Sequence, residues 1–310
     1  MKLINPKAEV LIQPPGLDGI YKQIEIAGRT CYKSEDKITE ASSVDFVKRM
    51  IESHHTAMLE HGTVYLKTYR DFEYEHNIEL VENDNELTKY SMNPYSVYTE
   101  DNDYAYVTTN FRVMLENRWL EDLPLICEPT NLHKKRITIR FVTDRGVSHE
   151  LVRHRKFSFA QESTRYCNYT KDKFGNAITF IIPTWASNKD EISYKHDPYD
   201  IEERGMFKAD FGDSYGGLLH QLCLVEDEYF FQLQNGRTPQ EARQILPNAL
   251  KTEVIMTGYL SDWRHFFDLR YFGKTGKPHP DMEYLATLAK EALEKEGLWE
   301  EIMAQPSKFN

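Results

Sequence analysis

A period-two alternation that runs directly into a helix cap is the feature that most narrows what this chain can fold into. Ile137-Thr138-Ile139-Arg140-Phe141-Val142 puts an apolar side chain at every second position, the pattern of a strand with one buried face. Asp144 then offers an N-cap, and residues 145–155 are predicted to form a short helix. A half-buried strand needs neighbours along its edges and a layer over its apolar face, so the rest of the chain must supply both.

Helical patterns are frequent on either side. Residues 17–33 carry an apolar face of Ile20, Ile24, Ile26 and Ala27, and a second helix from about Ser42 buries Phe46, Val47, Met50 and Ile51. Helices are also predicted over 111–120, over 217–233, from Thr238-Pro239 to Ile245, over 252–269 and over 282–296. Strands are predicted over 63–68 and 178–182, with a hairpin over 95–98 and 104–109. Residues 70–135, acid-crowded over 71–86, and residues 185–215, polar and without a period, read as two insertions on a single domain spanning 1–310.

Bulk composition sets limits on partners. The 310 residues are 40% hydrophobic and 28% charged, as in an ordinary globular protein. A net charge of −11 argues against an extended nucleic-acid footprint, so an anionic ligand would have to find a local basic cluster. Cys31, Cys127, Cys167 and Cys223 form no CxxC pair, which predicts reduced thiols and a cytoplasmic setting. No apolar run has the length of a signal or membrane segment, so no membrane partner is expected.

The local basic cluster exists. Arg153-His154-Arg155-Lys156-Phe157-Ser158-Phe159-Ala160-Gln161-Glu162-Ser163-Thr164-Arg165-Tyr166 concentrates cations, an imidazole and hydroxyls. On a helix the Arg-His-Arg triplet would project to three sides, whereas at a helix end it can fan around a polyanion. Arginine meets phosphate in two-pronged contacts that lysine cannot copy. In an extended stretch Ser163 and Arg165 face the same way and could grip one phosphate. Composition alone leaves this open against a solvated basic face. Ser163 as a nucleophile would need a base in reach, and Glu162 would point away in such a stretch, so a ligand role is the better reading. His54, His55, Glu60 and His61 lack the HExxH spacing, and no metal is expected. Gly273-Lys274-Thr275 fails as a P-loop because position 268 is Asp268, and there is no GxGxxG.

The stretch resembles the signature of flavin-dependent thymidylate synthases: Arg-His-Arg, seven residues, Ser, one residue, Arg. Arg153-His154-Arg155 with Ser163 and Arg165 matches it throughout. Further segments agree in family order. His55-Thr56-Ala57-Met58-Leu59-Glu60-His61 resembles an upstream block, with Ala57 in place of a hydroxyl. Glu241-Ala242-Arg243-Gln244-Ile245-Leu246-Pro247 resembles the block that supplies a nucleotide-binding arginine. His265-Phe266-Phe267-Asp268-Leu269-Arg270 resembles the block whose last arginine meets the pyrimidine, and His279 with Glu283 fits a following block. Tyr259 stands where the family pattern suggests Asn, and Glu150 where Gln is frequent.

The resemblance implies an α/β fold with a mixed or antiparallel central sheet flanked by helices, assembled as a homotetramer with sites shared between subunits. It implies methylation of dUMP to dTMP, with methylenetetrahydrofolate as carbon donor, NADPH as reductant, bound FAD between them and no cysteine nucleophile. His55, Glu60, Arg153, His154, Arg155, His265 and His279 would surround FAD. Glu150, Gln161, Ser163, Arg165, Arg243 and Arg270 would hold dUMP, with Arg270 and Ser163 nearest the chemistry. The rivals are a classical thymidylate synthase and a non-catalytic acidic interaction protein. The first places its cysteine after proline, but the residues preceding the four cysteines are Thr30, Ile126, Tyr166 and Leu222. The second would purify colourless rather than yellow.

Overall fold

The computed structural model describes residues 1–70, 72, 73, 81, 82, 85–186, 190–194, 210 and 212–309. The chain order is β1 (Lys2–Ile4), β2 (Lys7–Leu11), α1 (Gly16–Tyr32), α2 (Ser42–Glu52), β3 (Thr63–Tyr69), β4 (Phe72–Glu73), β5 (Val81–Glu82), β6 (Val97–Glu100), β7 (Tyr104–Asn110), α3 (Phe111–Glu116), β8 (Arg136–Asp144) and α4 (Arg145–Leu151). It continues through β9 (Ser158–Gln161), β10 (Thr179–Ile181), β11 (Ile192–Ser193), α5 (Asp213–Gln234), α6 (Pro239–Ala242), β12 (Lys251–Tyr259), α7 (Leu260–Arg270), α8 (Pro280–Lys295) and α9 (Trp299–Met303). Among the described residues no helix is long and apolar enough to cross a membrane.

The alternating strand is β8, and it lies inside an antiparallel sheet of order β2-β8-β12-β9. Ile139 and Phe141 on β8 and Val254 and Met256 on β12 point into one core with Trp263, Phe266, Phe267 and Leu285 from α7 and α8. On the opposite face Ala160 and Ile255 pack against Ala27 of α1. The fold is therefore α/β with a helix-covered antiparallel sheet, and the β10-β1-β11 sheet is mixed.

β12 corrects the helix expected over 252–269: residues 251–259 are a strand, and the helix begins only at Leu260. A strand buried on both faces loses its alternation, so Val254-Ile255-Met256 reads like a helix face. Gly258 permits the close packing there, because a Cβ at that position would meet the Phe157 ring at 2.6 Å.

β3, β7 and β6 form a third, antiparallel sheet. The described part of 70–135 shares a core with the N-terminal helices: Leu87, Tyr90, Val107, Phe111 and Met114 pack with Ile20, Ile24 and Phe46. The insertion expected at 185–215 and the acidic run over 71–86 lie largely outside the described residues.

Candidate functional site

Asp144 caps α4 as expected, its Oδ1 accepting the Val147 N–H at 2.8 Å. The helix stops at Leu151 rather than at 155. Tight bonds close its end: the Arg153 N–H donates to Glu150 O at 3.3 Å and the His154 N–H to Leu151 O at 3.0 Å. Arg153, His154 and Arg155 therefore fan from a helix C-terminus, where the backbone dipole favours cations, instead of spacing around a helix surface. Arg153 and Arg155 are exposed, and His154 is buried.

Arg270, the last residue of α7, joins this group. Its Nη1 donates to Glu150 Oε2 at 2.6 Å and its Nε to His154 Nε2 at 3.1 Å. A guanidinium can only donate, so His154 Nε2 accepts and the neutral ring carries its proton on Nδ1. Burial first, then the charges of Arg270 and His265, bring the His154 pKa down to about 3. His265 is also lowered, by burial and then by Lys308. Its Nδ1 is sealed from solvent without a hydrogen-bond partner among the described residues, and its ring stacks on Phe309 with centroids 5.6 Å apart.

These groups enclose a cavity of about 220 Å³. Arg153, Arg155, Lys156, Arg270 and Lys308 line it against the single carboxylate of Asp262, whose pKa burial raises. In a chain of net charge −11, this cavity concentrates positive charge.

The second half of the signature lies at the far end of β9, roughly 13 Å away along a four-residue strand at about 3.3 Å per residue. The extended course expected for residues 163–165 is corrected here: the chain turns, with Ser163 O accepting the Tyr166 N–H at 3.0 Å and the Cys167 N–H at 3.3 Å. The buried Glu162 carboxylate is held beside this turn by Lys251 at 2.8 Å and by the Cys167 thiol, which lies within the turn's reach at 3.6 Å. The turn still gathers the expected residues. Arg243 Nη1 donates to Thr164 Oγ1 at 3.0 Å, and Arg165 is exposed beside Tyr166. Ser163 Oγ makes no hydrogen bond among the described residues. Gln161 is engaged inward, donating to Ser148 Oγ at 2.9 Å and Thr252 Oγ1 at 3.2 Å.

Three expected residues stand apart from the cation cavity. His279 caps α8, its Nδ1 accepting the Asp281 N–H at 3.3 Å, and lines a separate cavity of about 380 Å³ with Asp144, Asp281 and Glu150. His55 is exposed, its Nδ1 2.9 Å from Tyr32 Oη. Glu60 pairs with Arg112 at 2.6 Å. Tyr259, at the position where Asn was expected, donates its hydroxyl to Tyr95 O and Thr108 O, both at 3.2 Å, and so ties β12 to the third sheet. Asp262, Thr164, Lys308 and Phe309 were not among the expected site residues. Asp262 had a signal, since it precedes His265 by three residues on one helix face. Lys308 and Phe309 had none.

Comparison with known proteins places these residues in context. The family model described as thymidylate synthase complementing protein matches residues 129–296, which include α4, both halves of the signature and α7. A flavin-dependent thymidylate synthase of Corynebacterium efficiens is 32% identical over 155 residues, 49% of this chain and 53% of that protein. One from Mycolicibacterium vanbaalenii is 32% identical over 151 residues, 48% of this chain and 52% of that protein. The chain thus spans about half the length of the curated relatives it matches. Among solved structures, a UMP/dUMP methylase of Streptomyces cacaoi bound with 5-Br dUMP aligns over 98% of both chains at 15% identity and a TM-score of 0.44. A thymidylate synthase X of Helicobacter pylori with FAD and dUMP aligns over 97% of this chain and 100% of that one, at 14% identity and a TM-score of 0.39.

Proposed function

Because the chain belongs to the thymidylate synthase complementing protein family, we propose that it converts dUMP to dTMP reductively, with bound FAD, NADPH as reductant and methylenetetrahydrofolate as carbon donor. The observation that carries this reading is the cavity in which five cations face one carboxylate. Its donor set fits a flavin dinucleotide: Arg153 and Arg155 can each give two-pronged contacts to a pyrophosphate, and the unpartnered His265 Nδ1 is a polar atom in want of a ligand. When bound, FAD would supply the reducing equivalents, while the protein binds and orients.

The chain's own residues then divide the work. Glu150 and His154 hold the Arg270 guanidinium in one orientation, leaving its remaining donors for a pyrimidine carbonyl, where a fixed cation stabilises developing negative charge. Ser163, Arg165 and Arg243 take the nucleotide phosphate, with Thr164 holding Arg243 against the turn. Ser163 serves as a ligand, since the neighbouring Glu162 carboxylate is committed to Lys251. The thiols support chemistry without a cysteine nucleophile: burial pushes Cys31 up to about 11 and also raises Cys127 and Cys167. A cavity of about 220 Å³ is smaller than the roughly 300–1,000 Å³ of a whole ligand pocket, which suits a site completed by another copy in a homotetramer.

The test is chromatographic detection of dTMP after incubation with dUMP, methylenetetrahydrofolate, NADPH and FAD. The proposal expects dTMP that depends on FAD. No dTMP from protein that retains FAD, or the same yield from flavin-free protein, would overturn it.

A further inference from the structure

We propose that the Ser307–Phe309 turn places Lys308 in the lining of the cation cavity as a ligand for the anionic part of a dinucleotide, and that Phe309, stacked on His265, positions that ring. The inference rests on the flavin reading of that cavity and adds residues that lie beyond the family-matched region.

The segment is held in place by polar contacts that centre on the buried Asp268. Past α9, Arg264 Nη1 donates to Met303 O at 2.8 Å. Ser307 Oγ donates to Asp268 Oδ2 at 2.6 Å and accepts from Lys274 Nζ at 2.9 Å. Asp268 is fully buried, and it also pairs with Lys274 at 3.2 Å and Arg264 at 3.3 Å. The Phe309 N–H returns to Ser307 Oγ at 3.2 Å, which fixes the turn containing Lys308. Asp268 lies on α7 between His265 and Arg270, so the element that carries four cavity residues, Asp262, His265, Leu269 and Arg270, also carries the anchor.

The anchor places Lys308 where electrostatics alone would not. Lys308 joins Arg153, Arg155, Lys156 and Arg270 around one cavity, and it has no ion-pair partner among the described residues. Like charges so close repel one another, and a bound polyanion turns that cost into attraction. Phe309 lies nearly parallel to the His265 ring, with 14° between their planes. It therefore fixes the plane of an imidazole whose buried Nδ1 lacks a partner. Lowering of the His265 pKa by Lys308 agrees with this closeness.

The test is a fluorescence titration of the full chain with FAD and, separately, with riboflavin, which carries the ring without phosphates. Wild type, Lys308→Glu, Lys308→Arg and Phe309→Ala are compared. Lys308→Glu should weaken FAD roughly tenfold or more, as loss of a charge-assisted contact does, and should leave riboflavin unchanged. Lys308→Arg should retain FAD affinity, and Phe309→Ala should weaken both ligands. FAD binding to Lys308→Glu as tight as to wild type would overturn the proposal, and tighter binding would make the segment a plug instead. A wild type that binds no FAD would sink the flavin reading and this inference together, so the two failures are distinguishable.

Discussion

Arg270 is the residue on which the proposed chemistry converges, and its neighbours explain why a helix end suits it. Glu150 and His154 both accept from it, so its guanidinium is oriented before any ligand arrives. Arg270→Ala is expected to lower turnover as well as dUMP binding, because it removes charge stabilisation at the reacting ring. Ser163→Ala is expected mainly to weaken dUMP binding, by about 1.5–3 kcal/mol for one bond to a charged phosphate. Single-turnover dTMP formation at saturating dUMP separates the two. Abolished turnover in Ser163→Ala with dUMP still bound, or a trapped Ser163 adduct, would make serine the nucleophile. His154 gives a pH signature. Its folded pKa of about 3 lies below the ordinary 6.5, so the unfolded chain takes up the proton first as pH falls. Its contribution to stability is complete above about pH 6.5 and is lost progressively towards pH 3. Urea unfolding across that window should show a shallower decline in His154→Asn than in wild type, and equal slopes would contradict the neutral, buried state.

At the scale of elements, β9 connects the two halves of the signature, and a half-buried charge network lies at its far end. Lys33, which caps α1, pairs with Glu253 at 2.7 Å, and Lys251 pairs with Glu162 at 2.8 Å and also with Glu253. Burial alone would lower the Lys33 ammonium, but Glu162, Glu253 and Glu35 outweigh it and raise its pKa. Burial alone would raise the Glu253 carboxyl, but Lys251 and Lys33 bring it to about 2. Glu253→Gln removes one of the two carboxylates facing each ammonium, Lys33 keeping Glu35 at 3.0 Å and Lys251 keeping Glu162, and should cost about 1.5–3 kcal/mol near neutral pH. Because the folded pKa is depressed, the gap from wild type should be full above about pH 4.5 and shrink as pH falls towards 2. A gap independent of pH, measured by urea unfolding, would count against the network. Elements with local signals were legible in the sequence: β8 by alternation, α4 by its Asp144 cap, and α6 by Pro239 at its first turn. β12 was not, since burial on both faces removed its period. β1 and β2 were not, because three- and five-residue strands take their meaning from partners far along the chain. In the site, the signature was legible as a spacing. The meeting of Arg243 with Thr164, and of Lys308 with Arg153, depends on tertiary closure that no local pattern encodes.

Across the whole molecule, an acidic chain holds two basic grips at opposite ends of one strand, and the cation cavity of one copy, at about 220 Å³, is smaller than a whole ligand pocket of roughly 300–1,000 Å³. A homotetramer with shared sites is therefore expected, and light scattering that finds an active monomer at working concentration would contradict it. The proposed function stands or falls with flavin binding in the cavity of Arg153 and Arg155. Both side chains are exposed, so replacing them should leave the fold within about 0.5 kcal/mol of wild type. The most direct measurement is the FAD affinity of the Arg153→Ala/Arg155→Ala double variant against wild type, with far-ultraviolet circular dichroism to check the fold. Loss of two charge-assisted contacts predicts at least a roughly hundredfold weaker Kd in a folded protein, whereas a double variant that keeps FAD as tightly as wild type would contradict the claim.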